Sequence, residues 1–349
     1  MINIENFIIT PEILGLIAEI DEFKGAWLEL GKLAPDRLFN LKKVATIESI
    51  GSSTRIEGAV LSDQEVARLL KCVNESSFQT RDEQEVIGYA KAFEILSDQW
   101  EVIPFTENVF KQMHMQMLHY SDKDERHRGE YKKIPIRIEA FDEQGKSVGI
   151  IFETTSPLET PLKMRELVLW TQSVLEKKSL HPLLVISLFV VVFLAIHPFQ
   201  DGNGRLSRLL TTLLMLKCGY HYVPYSSLES VIERNKESYY LALQQTQKSW
   251  QHDNPHWTPW VIFFLTCLQR QKNHLEVKVS REKLLLKERP SLSGHIVDLI
   301  QAHGQLRISE IEVLTRANRN TLKKTLVSLV RSNQIKLRGK GKGACYTIL

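Results

Sequence analysis

The chain has 349 residues, 43% of them hydrophobic, a length that points to about two domains and a composition ample for buried cores. Its longest apolar run, Pro182 to Ile196, falls short of the roughly 20 residues a membrane helix needs. The N-terminus lacks a basic region followed by a long apolar block, and cysteines at 72, 218, 267 and 345 are too scattered for a disulfide framework or zinc knuckle, so a reduced cytoplasmic setting is expected. The net charge of +4 conceals an asymmetry: residues 316–349 hold nine Lys or Arg and no acid, which leaves the rest at −5. A basic tail on a mildly acidic body suggests a second module with its own partner.

In chain order, helix-spaced apolar residues predict helices over 11–31 and 36–48, separated by a turn at Gly31–Pro35. Ser62, with Glu65 three residues on, has the capping-box pattern and opens a helix over 62–72. Helices over 81–99 and 106–119 follow. Between 130 and 152 the period changes to two: Ile134, Ile136 and Ile138 alternate, Asp142-Glu143-Gln144-Gly145 turns the chain, and Val148 to Phe152 return. Helices are predicted again over 160–178, 182–196, 205–217, 229–249 and 257–275. The charged stretch 278–290, ending at Pro290, reads as a linker. Beyond it come helices at 295–303, 309–316 and 319–332, then strands at 334–337 and 344–348 around Gly339-Lys340-Gly341-Lys342-Gly343, which fits a winged helix. The expected fold is mainly α, divided into an N-terminal helical region (1–110), a core (111–275), a linker (276–290) and a small winged-helix domain (291–349).

The most informative stretch is His197-Pro198-Phe199-Gln200-Asp201-Gly202-Asn203-Gly204-Arg205-Leu206-Ser207-Arg208. It lies between two apolar helices and combines a base, a metal-type carboxylate, a Gly-Asn-Gly turn and two arginines three residues apart. A helix N-terminus offers free N–H groups and a positive dipole end, and glycines let the backbone close on an anion. Arg205 and Arg208, on one face of the helix's first turn, add forked cationic donors suited to phosphate oxygens. The pattern is that of a polyphosphate site with a base at its lip.

This stretch resembles the signature of Fic-domain proteins, HPF-x-(D/E)-GNGR-x-x-R, at every fixed position. The resemblance implies a Fic-type helical core and a protein adenylyltransferase that moves AMP from ATP to a Ser, Thr or Tyr hydroxyl of a protein target. It implies His197 as general base, Asp201 as Mg²⁺ ligand, and Asn203 with the N–H groups of Gly202 and Gly204 around the α- and β-phosphates. Arg205 would hold the β-phosphate and Arg208 the γ-phosphate. By the same resemblance the hairpin at 130–152 is a flap whose edge, with Val148, Gly149, Ile150 and Ile151, pairs with a target segment. Tyr239 and Tyr240 would line the adenine pocket, one packing and one contacting the base, with Gln247 near the adenine edge. Ser53-Thr54-Arg55-Ile56-Glu57-Gly58 is similar to the family's inhibitory pattern (S/T)-x-x-x-E-(G/N). It implies an inhibitory helix over about 42–58 whose Glu57 forms a bidentate pair with Arg208.

Two patterns are set aside. Gly145-Lys146-Ser147 looks like the end of a P-loop, but Ala140 stands where that loop has glycine and a strand follows. His252 and His256 have metal-ligand spacing, but Asp253-Asn254-Pro255 between them reads as a loop. In the winged helix, Arg319, Asn320, Lys323 and Lys324 are the candidate groove-facing residues, for DNA or for a protein partner. Two alternatives remain: a DNA-binding regulator in which the Fic fold senses nucleotide, and a de-AMPylating or other phosphoryl-type transferase. Intact His197 and Asp201 favour the enzyme, and Gly204 argues against phosphorylation, since phosphorylating family members carry lysine there. Self-modification and a homodimer are open.

Overall fold

The computed structural model describes residues 2–4, 7–30, 35–71, 78, 80–141, 147–250, 255–288, 291–315, 317–339 and 344–348. The chain divides into two units, Met1–Leu275 and Glu276–Leu349. The first is mainly helical: α1 (Pro11–Leu30), α2 (Pro35–Ile56), α3 (Asp63–Lys71), α4 (Arg81–Gln99), α5 (Glu107–Met117), α6 (Thr160–Lys177), α7 (Pro182–Ile196), α8 (Asn203–Lys217), α9 (Leu228–Arg234), α10 (Lys236–Trp250) and the part of α11 (Thr258–Glu288) up to Leu275. At its centre is α7. Pro182 starts the helix where its missing N–H costs nothing, and every side chain from Leu183 to Ile196 is buried. That explains an apolar run with no polar face: α6, α8 and α10 pack around it on different sides. No described helix is long and apolar enough to cross a membrane.

Local sequence sets several boundaries. Thr80 and Glu83 form a complete capping box at the start of α4, and Ser62 and Glu65 bond reciprocally before α3. The hairpin is present as β1 (Arg137–Phe141) antiparallel to β2 (Ser147–Glu153), with register irregularities at Ile138/Glu139 and Ala140/Phe141. It starts later than the alternation of isoleucines predicts. Pro135 has no N–H to give a ladder, and Tyr131 instead bridges to Phe199. The turn at 142–146 lies outside the described residues.

Two further expectations change. The single helix expected over 229–249 is two, because Asn235 leaves helical geometry and turns its side-chain amide back onto the Val231 carbonyl (2.7 Å). The stretch from 278 expected as a linker continues α11 to Glu288, since Lys, Glu and Leu sustain a helix as well as they populate a charged loop.

The second unit contains α12 (Ser291–His303), β3 (Gln305–Arg307), α13 (Ile308–Thr315), α14 (Arg319–Arg331), β4 (Ile335–Arg338) and β5 (Cys345–Ile348). The strands form an antiparallel sheet in the order β3-β5-β4. Ile296, Ile300, Ile311, Leu322, Leu326 and Leu329 bury its own small core. Strand β3 is too short to show a period in sequence.

Candidate active site

The motif begins where α7 ends. His197 caps that helix with its N–H on the Phe193 carbonyl (2.9 Å) and a φ of 52°. A non-glycine residue in this left-handed region carries strain of about 1–3 kcal/mol, which its surroundings must offset. Its Nδ1 meets the Leu194 carbonyl (3.4 Å). A carbonyl only accepts, so Nδ1 carries the hydrogen and Nε2 is left as the acceptor. Burial, then the charge of Lys132, pushes the imidazole down to about 4, with the Leu194 carbonyl, Glu57 and Asp201 opposing. The ring is therefore neutral at pH 7.

Asn203 braces the loop from within. Its side chain accepts the Phe199 N–H (2.9 Å) and donates to the Phe199 carbonyl (2.7 Å). That bracing engages Oδ1 and one of the two amide hydrogens of the residue expected at the α- and β-phosphates. What Asn203 can still offer an anion is its second amide N–H and its backbone N–H in the first turn of α8, where no intrahelical acceptor exists. Gly202 caps α8 at a φ of 77°, and a Cβ there would come within 2.7 Å of the Met117 methyl.

Beneath the loop is His114, which sequence reasoning missed. It is fully buried, stacked on Phe199 with centroids 3.9 Å apart, and its Nδ1 accepts the Gly129 N–H (2.8 Å). Nε2 must then carry the hydrogen it donates to the Asp201 carbonyl (2.9 Å). Lys132 was missed as well. Its N–H donates to the Pro198 carbonyl (2.8 Å), and its Nζ to the Ile196 carbonyl (2.9 Å) and the Thr154 hydroxyl (2.7 Å).

Two arginines project from the first two turns of α8. Arg205, 1% exposed, lies between Glu85 of α4 (3.1 Å) and Asp201 Oδ1 (3.3 Å), and Arg81 donates to the other Glu85 oxygen (2.7 Å). Glu85 carried no signal in sequence beyond its place on an amphipathic helix. Asp201 Oδ1 also accepts the Gly202 N–H (2.6 Å), and Oδ2 accepts from Lys123 Nζ (2.8 Å). Burial disfavours the Asp201 charge, but Arg205 and Lys123 outweigh it and hold the carboxyl well below the usual carboxylate range. No three His, Cys, Asp or Glu cluster as a metal cage among the described residues. A single carboxylate oxygen beside an anion seat nonetheless fits a Mg²⁺ that takes its remaining ligands from phosphates and water.

Arg208 is buried, with Nε on the Ser53 hydroxyl (2.8 Å) and Nη2 on both the Ser53 carbonyl (2.9 Å) and Glu57 Oε1 (2.7 Å). The expected bidentate pair is thus a single contact, because Ser53 takes the Nε edge of the fork. Nη1 is buried without a hydrogen-bond partner. Glu57 follows the last residue of α2, where Gly58 takes a φ of 105°. Its carboxylate lies directly over Gly204, so that a Cβ on Gly204 would collide with it. Burial works against its ionisation, but Arg208 and then Arg205 hold it below the ordinary carboxylate range. Two residues earlier, Arg55 fastens this end of α2. Nε and Nη2 reach Glu233 of α9 (2.6 and 3.0 Å), and Nη1 reaches Asp63 of α3 (3.0 Å) and the Leu61 carbonyl (2.9 Å).

Of the tyrosine pair, Tyr239 is buried against Trp260 and Phe263 (5.8 and 5.9 Å between centroids), while Tyr240 is 44% exposed. Gln247 is buried one helical stretch further along α10. Strand β2 lies against α10. The side chains of Val148, Gly149, Ile150 and Ile151 lie outside the described residues, as do His252 and the lysines of 340–343. His256 is a loop residue.

Comparisons with known proteins bear on this arrangement. Residues 104–215 match the Fic/DOC family. The protein adenylyltransferase Fic of Drosophila virilis is 24% identical over 285 residues, 80% of this chain and 53% of its own length. That of Drosophila grimshawi is 26% identical over 181 residues, 51% of this chain and 35% of its own length. The chain thus spans about half, or less, of these curated relatives. Among solved structures, a Fic family protein from Desulfovibrio desulfuricans G20 superposes with a TM-score of 0.68 at 23% identity, covering 98% of this chain and 97% of its own. A Fic domain containing signaling protein from Bacteroides thetaiotaomicron gives 0.61 at 24% identity, over 76% of this chain and 97% of its own. The chain therefore has the fold of Fic proteins, and the segment that contains the whole motif from His197 to Arg208 matches the Fic/DOC family.

Proposed function

We propose that this chain is a protein adenylyltransferase that moves AMP from ATP to a hydroxyl side chain of a protein target and is restrained by its own Glu57. The observation that carries the reading is an internal carboxylate seated at the N-terminus of α8, on Arg208 and over Gly204, in a place built for an anion. In the reaction the target oxygen attacks the α-phosphorus while its proton passes to Nε2 of His197. The bond to the bridging oxygen breaks, and pyrophosphate leaves with the electron pair. Arg205, Arg208 and the first-turn N–H groups of α8 meet the charge that develops. Asp201 would hold a Mg²⁺, which when bound neutralises phosphate oxygens.

The exposed face of Tyr240 suits the adenine, with Tyr239 packed behind it. A target segment would add as a strand to the two-stranded hairpin, where main-chain pairing makes little demand on sequence. A segment of a second copy, or of the chain itself, meets the same requirement. In Glu276–Leu349, Arg319, Asn320, Lys323 and Lys324 are all exposed on one side of α14 while Leu322, Leu326 and Leu329 face the core. That arrangement supports a winged helix whose α14 enters a DNA groove, with protein docking as the competing use. A reduced, cytoplasmic setting suits the free Cys218, Cys267 and Cys345.

Incubation with α-labelled and with γ-labelled ATP tests the reaction. Transfer from the α label alone means AMP, transfer from γ alone means phosphorylation, and neither favours a nucleotide sensor. His197→Ala should lower transfer by about 10²–10⁴-fold while ATP still binds, because the anion donors remain. A wild-type rate in that variant would remove His197 as the base.

A further inference from the structure

Lys132 is a buried charge to which the reaction assigns no part. It is 3% exposed, yet its ammonium donates only to uncharged oxygens, those of Thr154 and Ile196. A buried ammonium needs its hydrogen bonds placed well to be kept at all, so the location of these acceptors matters. Ile196 ends α7, where carbonyls lack intrahelical donors and the dipole favours a cation. The backbone N–H of Lys132 meanwhile holds the carbonyl of Pro198 (2.8 Å). One residue therefore grips the chain immediately before and immediately after His197, the residue held at a φ of 52°.

The other end of the grip is the hairpin. Thr154, just past β2, receives Lys132 Nζ and donates its own hydroxyl to the Ile136 carbonyl (2.8 Å), just before β1. Thr155 N–H reaches the Ala195 carbonyl (3.4 Å), and Tyr131 pairs with Phe199. Both legs of the hairpin are thus tied through Lys132 to the two peptide groups that flank the base.

We propose that Lys132 is the positioning residue that couples the hairpin to the base, so that a strand added at the hairpin edge and the imidazole of His197 move as one hydrogen-bonded unit. This rests on the adenylyltransferase reading, with the hairpin as docking edge. The lysine charge also helps keep His197 neutral, against the opposing pull of Glu57 and Asp201.

The test compares Lys132→Met, Lys132→Arg and Thr154→Val in a Glu57→Gly background. Lys132→Met should lower kcat by about 10- to 100-fold, the range expected when a reacting group is slightly misplaced, with ATP affinity by calorimetry unchanged. Lys132→Arg should recover part of the loss, because its fork reaches the same oxygens. Thr154→Val leaves the lysine and the motif in place and should raise KM for a protein target more than it changes kcat for self-modification. In an NMR titration, the His197 ring protons of Lys132→Met should titrate at higher pH than those of the parent. Parental kcat with an unshifted titration overturns the proposal, as does a loss confined to ATP affinity. If Lys132→Met does not fold, the other two variants decide by the same criteria. A Glu57→Gly parent that transfers no AMP refutes the adenylyltransferase reading instead, and the His197 titration, which needs no turnover, still judges Lys132.

Discussion

Arg208 is oriented by Ser53 and occupied by Glu57, and the two contacts have different consequences. Replacing Glu57 with Gly leaves the guanidinium aimed by Ser53 and frees it for a γ-phosphate. Transfer should rise by about 10- to 100-fold, matching the ~1.5–3 kcal/mol of a hydrogen bond to a charged group. The gain should vanish in an Arg208→Ala background, because the activation works through that arginine. A folded Glu57→Gly no more active than the wild type would end the autoinhibition reading. The pH dependence has a definite sign. A carboxyl whose folded value lies below its ordinary one keeps its pair above the ordinary range and loses it only as pH falls through the lowered value. Restraint measured as the activity ratio of Glu57→Gly to wild type should therefore stay level from about pH 8 to about pH 5. Residues that were legible in sequence act as a contiguous string, His197 to Arg208, or carry a recognisable short pattern, as Ser53 and Glu57 do. Glu85, His114, Lys123 and Lys132 were not legible. Each is a lone polar residue whose role exists only through contacts far along the chain, and nothing in its immediate neighbours distinguishes it from a solvated surface position.

At the level of elements, apolar content placed α7 to the residue, since a wholly buried helix with Pro182 at its start has unambiguous limits. Boundaries failed where a single polar side chain or a short segment decides. Asn235 split one expected helix, Pro135 delayed β1, and three residues of β3 are fewer than any period can reveal. The consequence for α10 is measurable. Tyr239, packed between Trp260 and Phe263, contributes to stability, whereas Tyr240 presents its ring outward. Tyr239→Ala should destabilise the fold by about 3–5 kcal/mol in urea unfolding. Tyr240→Ala should leave the midpoint nearly unchanged and raise KM for ATP. The opposite pattern would move the adenine to another surface.

At the scale of the molecule, the second unit has its own core and the catalytic candidates all lie in the first. A truncation after Glu288, which keeps α11 whole, should retain AMP transfer to a self or generic target. Cutting at 275 would sever that helix. If the removed unit binds duplex DNA, its affinity should fall steeply with salt as condensed counterions are released. Salt-insensitive binding, or none, assigns it to protein docking. The fastening of α2 by Arg55 has a consequence at this same scale. Because Glu233 and Asp63 anchor the chain two residues before Glu57, the backbone at that point cannot retreat without disturbing three helices together. The Glu57 side chain, one-third exposed and held by Arg208, shares none of these anchors, so a change of rotamer would release it with the backbone in place. Nucleotide would then compete against a rotamer instead of a helix. On the adenylyltransferase reading, the resting protein would behave as a valve with a built-in leak, its basal flow set by how often one side chain turns away.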